Sequence, residues 1–293
     1  MASLKHFKRR MTTVATTQQV MKAMNMVAAA KLARVKGQLD AARPFYEGME
    51  ELLGNLKGSQ AAAQSIYANP PQANRCAYIV ISGDKGLCGS YNNNIAAAAL
   101  EHIQAREGEG KSTRIVTVGL KAREFLVRRQ KEIAQVWAYP NDANFFEEAR
   151  SISARLVSIY GNRNIDEVYL AYTRFDSMLS YTPQVVRLLP LSLAAEHSNS
   201  YNWMSYDNET DRFLDRAVRY YLAAVIYRSL AEASVCEQAA RMVQMDSAVS
   251  NAEEILLGLG RSYNRKRQAA ITQEINEIVS SLTITSQSGI ASR

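Results

Sequence analysis

The sequence predicts an α/β domain with a mostly parallel, Rossmann-like sheet, inserted between two long terminal helices that pair as an antiparallel coiled coil. Three observations predict it: an apolar stripe of strict 3.5-residue period at the start of the chain, a second at its end, and β-rich runs alternating with helical segments between them.

Counting alternately three and four residues from Leu4 to Leu56 visits 16 positions, of which 14 are apolar, and only Gln18 and Asn25 break the stripe. An ordinary surface helix drifts round its axis over such a length, so a seam that keeps its period reads as a coiled coil. The predicted segment, 1–58, makes a rod of roughly 85 Å at 1.5 Å per residue. Pro44 removes one backbone bond and bends the helix without ending it, because the stripe resumes in register at Tyr46 and Met49.

The middle segment, 76–193, changes period. Runs at 76–82, 113–119, 133–138, 166–175 and 183–190 are β-rich, and they alternate with helical stretches near 92–106, 119–131 and 144–160. That is the βαβ order of a parallel sheet. Polar linkers at 65–75 and 194–210 bound it. A domain inserted between two helices makes them enter and leave on one side, which predicts a ball on a stick.

The closing helix is predicted over 209–283. From Leu214 to Gln273 the same alternation visits 18 positions, 14 of them apolar. Near Tyr263 the stripe slips by one residue to Ile271, Ile275, Ile278 and Leu282, a stutter that marks a change of packing partner. This helix outruns the first by about 18 residues, or about 27 Å, so its last turns are expected to stand alone. Residues 284–293 read as a polar tail with no assigned role. Gly258 and Gly260 read as points of close helix approach.

Composition limits the function classes. The 293 residues carry net charge +7, and no apolar run is longer than "YYLAAVIY", so neither a membrane span nor a signal peptide is predicted. Cys76, Cys88 and Cys236 lie far apart without CxxC spacing, which suits a reducing compartment. His6, His102 and His197 nominate no metal site. The string "AREGEGKST" at 105–113 mimics a phosphate loop, but a helix precedes it and a strand follows, the reverse of what that loop needs. The turn after the first strand, "SGDKGLCGSYNNN", lacks GxGxxG spacing. No nucleophile–base or paired-carboxylate arrangement is visible, so no catalytic residue, cofactor or metal is expected.

Charge is the remaining clue. Residues 1–36 hold eight Lys or Arg and no acid, and 255–273 add Arg261, Arg265, Lys266 and Arg267, again with no acid. An antiparallel hairpin brings these stretches together, and like charges so gathered call for an anionic partner. One alternative is a basic coiled-coil protein that binds nucleic acid. The missing aromatics and the apolar residues from Ile271 to Leu282 favour a protein sleeve.

Four separated motifs carry a resemblance that spans nearly the whole chain. "TTQQVMKAMNMVAAAKL", "GDKGLCGSYN", "EQAARMVQMDSAVSNA" and "YNRKRQAAITQEINEIV" resemble the gamma subunits of F-type ATP synthases. The resemblance implies a non-catalytic central shaft within the hexamer of alpha and beta subunits, standing on the membrane c-ring beside the epsilon subunit and coupling proton-driven rotation to ATP synthesis or hydrolysis at the beta sites. It also implies that Lys22, Met24, Asp84, Lys85, Cys88, Arg241, Arg267, Gln268 and Thr272 contact the hexamer. Ile271, Ile275, Ile278 and Leu282 would form a bearing tip, and Tyr206 and Asp207 would touch the ring. The region 190–235 lacks the paired cysteines of chloroplast forms. The expected location is peripheral, on the cytoplasmic face of a bacterial cell membrane.

Overall fold

The computed structural model describes residues 2–56, 65–67, 74–178, 180–191 and 210–290. Helix α1 runs Ala2–Leu56 and continues past Pro44. The sheet elements follow as β1 (Arg75–Ile81), α2 (Tyr91–Gly108), β2 (Ser112–Val118), α3 (Leu120–Val127), β3 (Ile133–Trp137), a 3-10 turn at Asp142–Asn144, α4 (Phe145–Gly161), β4 (Glu167–Phe175) and β5 (Tyr181–Leu189). Helix α5, Thr210–Ile290, closes the chain.

Two boundaries differ from expectation. The sequence pattern carried α3 to 131, but the helix ends at Val127, because the amides of Arg129 and Gln130 bond the carbonyls of Leu126 and Val127 and Gln130 turns to a φ of 61°. Helix α5 was expected to stop at 283 and continues to Ile290, through most of the predicted polar tail. The added residues up to Ser288, Ile-Thr-Ser-Gln-Ser, are mostly weak helix formers, but none is a breaker before Gly289.

The strand order is β3-β2-β1-β4-β5, with β1 pairing parallel to both β2 and β4, β2 parallel to β3, and β5 antiparallel to β4 at the edge. Pro183 sits on that edge strand, where its missing amide costs no central ladder bond. The pleat divides β1 between two cores. Tyr78 and Val80 face α2 and α3, packing on Ile95, Ala99, Ile103 and Leu126. Ala77, Ile79 and Ile81 face α4 and the parts of α1 and α5 nearest the sheet.

The chain divides into two compact units, one of Met1–Val27 with Gln244–Arg293, the other of Ala28–Val243. The cut falls within the long helices and not at 58 and 209, because Val35, Leu39 and Leu53 of α1 and Leu214 to Val235 of α5 share one hydrophobic core with the sheet.

Every described seam position of α1 is at least half-buried, as are those of α5 up to Tyr263. The stripe breakers have local reasons. In the first unit Gln18 Nε2 donates to Glu253 Oε1 at 2.9 Å. In the second, Arg228 lies over the Tyr46 ring at 4.7 Å, with Glu50 at 3.9 Å.

Within the sheet unit, α5 is buried on all sides from Ser229 to Arg241. Three hydroxyls donate to its backbone carbonyls: Ser153 to Arg219 at 2.8 Å, Tyr139 to Leu230 at 2.8 Å and Tyr91 to Ala233 at 2.9 Å.

Candidate functional site

The first candidate region is the loop from β1 to α2, at the carboxyl ends of the parallel strands. In a doubly wound sheet this is where a phosphate would meet free amides at a helix N-terminus. Here the loop is used to cap the first-turn amides of the neighbouring helix α3. Leu120 N–H donates to Asp84 Oδ1 at 3.0 Å, Lys121 N–H to the Gly83 carbonyl at 3.1 Å, and Ala122 N–H to Ser82 Oγ at 2.9 Å. Gly119, at φ 91°, lets the two segments close; a Cβ there would lie 2.1 Å from the Ser82 carbonyl oxygen.

Helix α5 fills the crevice beside this loop. A Cβ on Gly83 would lie 2.7 to 2.9 Å from the Glu237 carboxylate. Glu237 accepts a short, charge-assisted bond from Arg241, and both side chains are about nine-tenths buried. Arg241 also donates to Gln238 Oε1 at 2.9 Å and to the Gly86 carbonyl at 3.3 Å. From the other side Asn92 accepts from the Gly83 amide at 2.8 Å and donates to the Lys85 carbonyl at 3.2 Å and to Cys88 Sγ at 3.1 Å. Burial pushes the Cys88 thiol up, so it is a packed thiol and a poor nucleophile. The arrangement is a clamp: it fixes the loop on α5 and leaves Lys85, Gly86 and Leu87 outward, Leu87 at φ 63°.

The predicted contact residues therefore divide. Asp84 is half-buried as a cap for α3, Lys85 is exposed, and Cys88 and Arg241 are interior, with partners inside this chain. The last two were expected at a surface; the crevice buries them because Gly83 and Gly119 allow so close an approach. Glu237 was not anticipated, although its i, i+4 spacing to Arg241 in "EQAAR" is the signal that would have found it.

The second region is the coil unit. Lys22 is exposed and pairs with Glu253 at 3.5 Å; Met24 is half-buried. Arg261, Arg265, Lys266 and Arg267 are exposed, as are Gln268 and Thr272, whose hydroxyl donates to the Gln268 carbonyl at 3.0 Å. Ile271, Ile275 and Ile278 are exposed; Leu282 lies on the helix with its side chain outside the described residues, and Tyr206 and Asp207 lie outside them altogether. The basic cluster is smaller than the sequence implied. Lys31, Arg34 and Lys36 belong to the sheet unit, where Arg34 meets Asp142. Val20, Met26 and Val27 on α1 and Ile255 and Leu257 on α5 were missed; they lie off the seam and are exposed, Met26 at 68%. Gly258 and Gly260 are not points of close helix approach: a Cβ at either would meet nothing within 4 Å.

The family model for ATP synthase matches residues 3–283. The chain is 35% identical to the ATP synthase gamma chain of Alkaliphilus metalliredigens, covering 94% of this chain and 96% of that one. This chain belongs to the ATP synthase gamma-chain family. The gamma chain of Moorella thermoacetica is 37% identical, with 95% and 98% covered, and that of Acetobacterium woodii, described as sodium ion specific, is 33% identical, with 94% and 97% covered. In fold it resembles a chain of the Euglena gracilis mitochondrial ATP synthase, in a structure of OSCP, F1 and c-ring, with a TM-score of 0.68, 16% identity, and 97% and 95% of the two chains covered. A chain in the central stalk and c-ring structure from Tetrahymena thermophila gives a TM-score of 0.58 at 23% identity, with 78% and 99% covered. A gamma chain is a non-catalytic subunit of ATP synthase and forms its central stalk. The nucleic-acid alternative is set aside.

Proposed function

We propose that this gamma chain is the turning shaft that passes ion-driven rotation of a membrane c-ring to the nucleotide sites of beta subunits in an alpha/beta hexamer, with an epsilon subunit beside its sheet unit. The observation that carries the reading is the end of α5. From Ile271 to Val279 every residue is exposed, and four of the nine are large and apolar, which is unfavourable in water and suits a surrounding collar. A single asymmetric shaft among three beta subunits touches each differently, and only such differential contact shifts a partner between conformations. Lys22, Met24, Lys85, Arg267, Gln268 and Thr272 are assigned to hexamer contacts, Ile271, Ile275, Ile278 and Leu282 to the bearing, and Tyr206 and Asp207 to the ring. Arg241, Cys88 and Asp84 act by holding the loop that displays Lys85. No helix among the described residues is long and apolar enough to cross a membrane; the proposed attachment is peripheral, through the ring, on the cytoplasmic face of a bacterial cell membrane.

The test is truncation in the assembled complex. A chain ending at Leu282 should couple ATP hydrolysis to ion pumping nearly as well as the full chain, whereas one ending at Gln268 should lose assembly and pumping while keeping some hydrolysis. Equal pumping per ATP in both would remove the bearing from the reading.

A further inference from the structure

We propose that the groove between α4 and α5 in the sheet unit is a binding site for a phosphate-type oxyanion, a function separate from torque transmission. The groove measures about 450 Å³. Its floor is made by small residues: Ser153, whose hydroxyl bonds the Arg219 carbonyl at 2.8 Å, and Ala223, both buried. Small residues bring the two helices close, and the longer side chains beside them rise as walls. Arg150 and Ser151 form the α4 wall, and Arg216 and Arg219 form the α5 wall, so guanidinium groups line both sides.

Among the described residues these charges are incompletely balanced. Three arginines line the groove against one carboxylate, Glu147. Arg150 pairs with Glu147 at 3.5 Å in an exposed i, i+3 contact, a geometry easily exchanged for a better acceptor. Arg219 bonds Asp215 at 3.0 Å, but Asp215 also accepts from the Tyr67 hydroxyl and so is shared. Arg216 has no carboxylate partner among the described residues. Each guanidinium offers a planar fork of N–H donors that matches two oxygens of a phosphate, and Ser151 adds a hydroxyl at the rim. The same chemistry recognises free phosphate or pyrophosphate and the headgroup of an anionic lipid.

The experiment uses the full-length chain. Calorimetric titration with inorganic pyrophosphate near 0.15 M salt, and cosedimentation with vesicles of phosphatidylglycerol in phosphatidylcholine against phosphatidylcholine alone, distinguish the two sources. Binding to at least one probe should be saturable, weaken at least tenfold in the double variant Arg150→Gln, Arg216→Gln, and change less than twofold in a control pair at the coil, Arg265→Gln with Arg267→Gln. Ser151→Glu, an exposed substitution that puts a carboxylate on the rim, should match the groove variant and decides the matter if that variant loses helix content. Failure of both probes to bind, or equal weakening by groove and coil variants, would overturn the proposal.

Discussion

Replacing Glu237 with Ala tests the clamp directly. In the native chain its carboxylate neutralises a buried guanidinium and closes over Gly83. Removing one member of a buried ion pair costs about 3 to 5 kcal/mol, because the other charge stays uncompensated. Arg241 keeps two acceptors, Gln238 Oε1 at 2.9 Å and the Gly86 carbonyl at 3.3 Å, which puts the expected loss near the lower bound. Removing both charges with Glu237→Leu and Arg241→Met should cost about 1 kcal/mol or less, since an apolar pair of similar volume replaces the ions without their desolvation penalty. Gly83→Ala gives a cycle of opposite character. In the native background its new methyl meets the carboxylate at 2.7 to 2.9 Å, and the bond from Arg241 holds that carboxylate in place. In the Glu237→Ala background the same methyl enters vacated space, so the two changes together should cost well below the sum of their separate costs. Hydrogen exchange at the β1 and β4 amides reports opening of this unit alone. Additivity of Gly83→Ala and Glu237→Ala to within about 0.5 kcal/mol would refute the clamp.

Three further outcomes are expected. Asp166 accepts from Arg75 Nη2 at 2.8 Å and from the Arg75 amide at 3.0 Å, and the bond from the Arg75 guanidinium holds its carboxyl below the usual range; this stability is present above pH about 4 and is lost as pH falls through the depressed folded value, so Asp166→Asn should cost about 1.5 to 3 kcal/mol at pH 7 and progressively less as pH falls below about 4 in urea unfolding. Burial of His102, bonded to the Tyr78 hydroxyl at 2.8 Å, lowers its pKa, so the unfolded chain takes up the proton first and stability falls as pH drops through about 6.5; His102→Gln should remove that slope from thermal unfolding between pH 7 and 5. Gly258→Ala and Gly260→Ala, whose added methyls meet nothing within 4 Å, should each stabilise the coil unit by about 1 kcal/mol in amide exchange of α5; a loss would mean that the helix there requires glycine geometry.

The periodic features were legible in the sequence because they rest on spacing alone. The two stripes located both seams, and the β-rich runs located all five strands to within two residues. The fate of the seam breakers was not legible: Gln18 finds Glu253 and Arg228 finds Tyr46, pairings that depend on the relative register of two segments some 200 residues apart. Arg241 was read as a surface contact for the same reason. Nothing local to "EQAAR" reveals that a loop about 150 residues earlier will close over it; Gly83 and Gly119 make that closure possible, and their role appears only once their neighbours are known. The extra turns of α5 were missed because serine and threonine suggest fraying without enforcing it.

The three hydroxyls that reach the carbonyls of Arg219, Leu230 and Ala233 have a bearing on how load crosses this part of the protein. At about 100° per residue those carbonyls fall within roughly 60° of one another around the axis of α5, spread along about 21 Å of its length. They work as splines on an axle. Each uses a carbonyl's second lone pair, so the helical ladder is left intact. Their donors come from three separate places, α4, the stretch after β3 and α2, so no single loop can yield and release the helix. For α5 to slip or spin against the sheet, all three must let go together, and twist applied to the helix is delivered to the sheet as shear on fixed points.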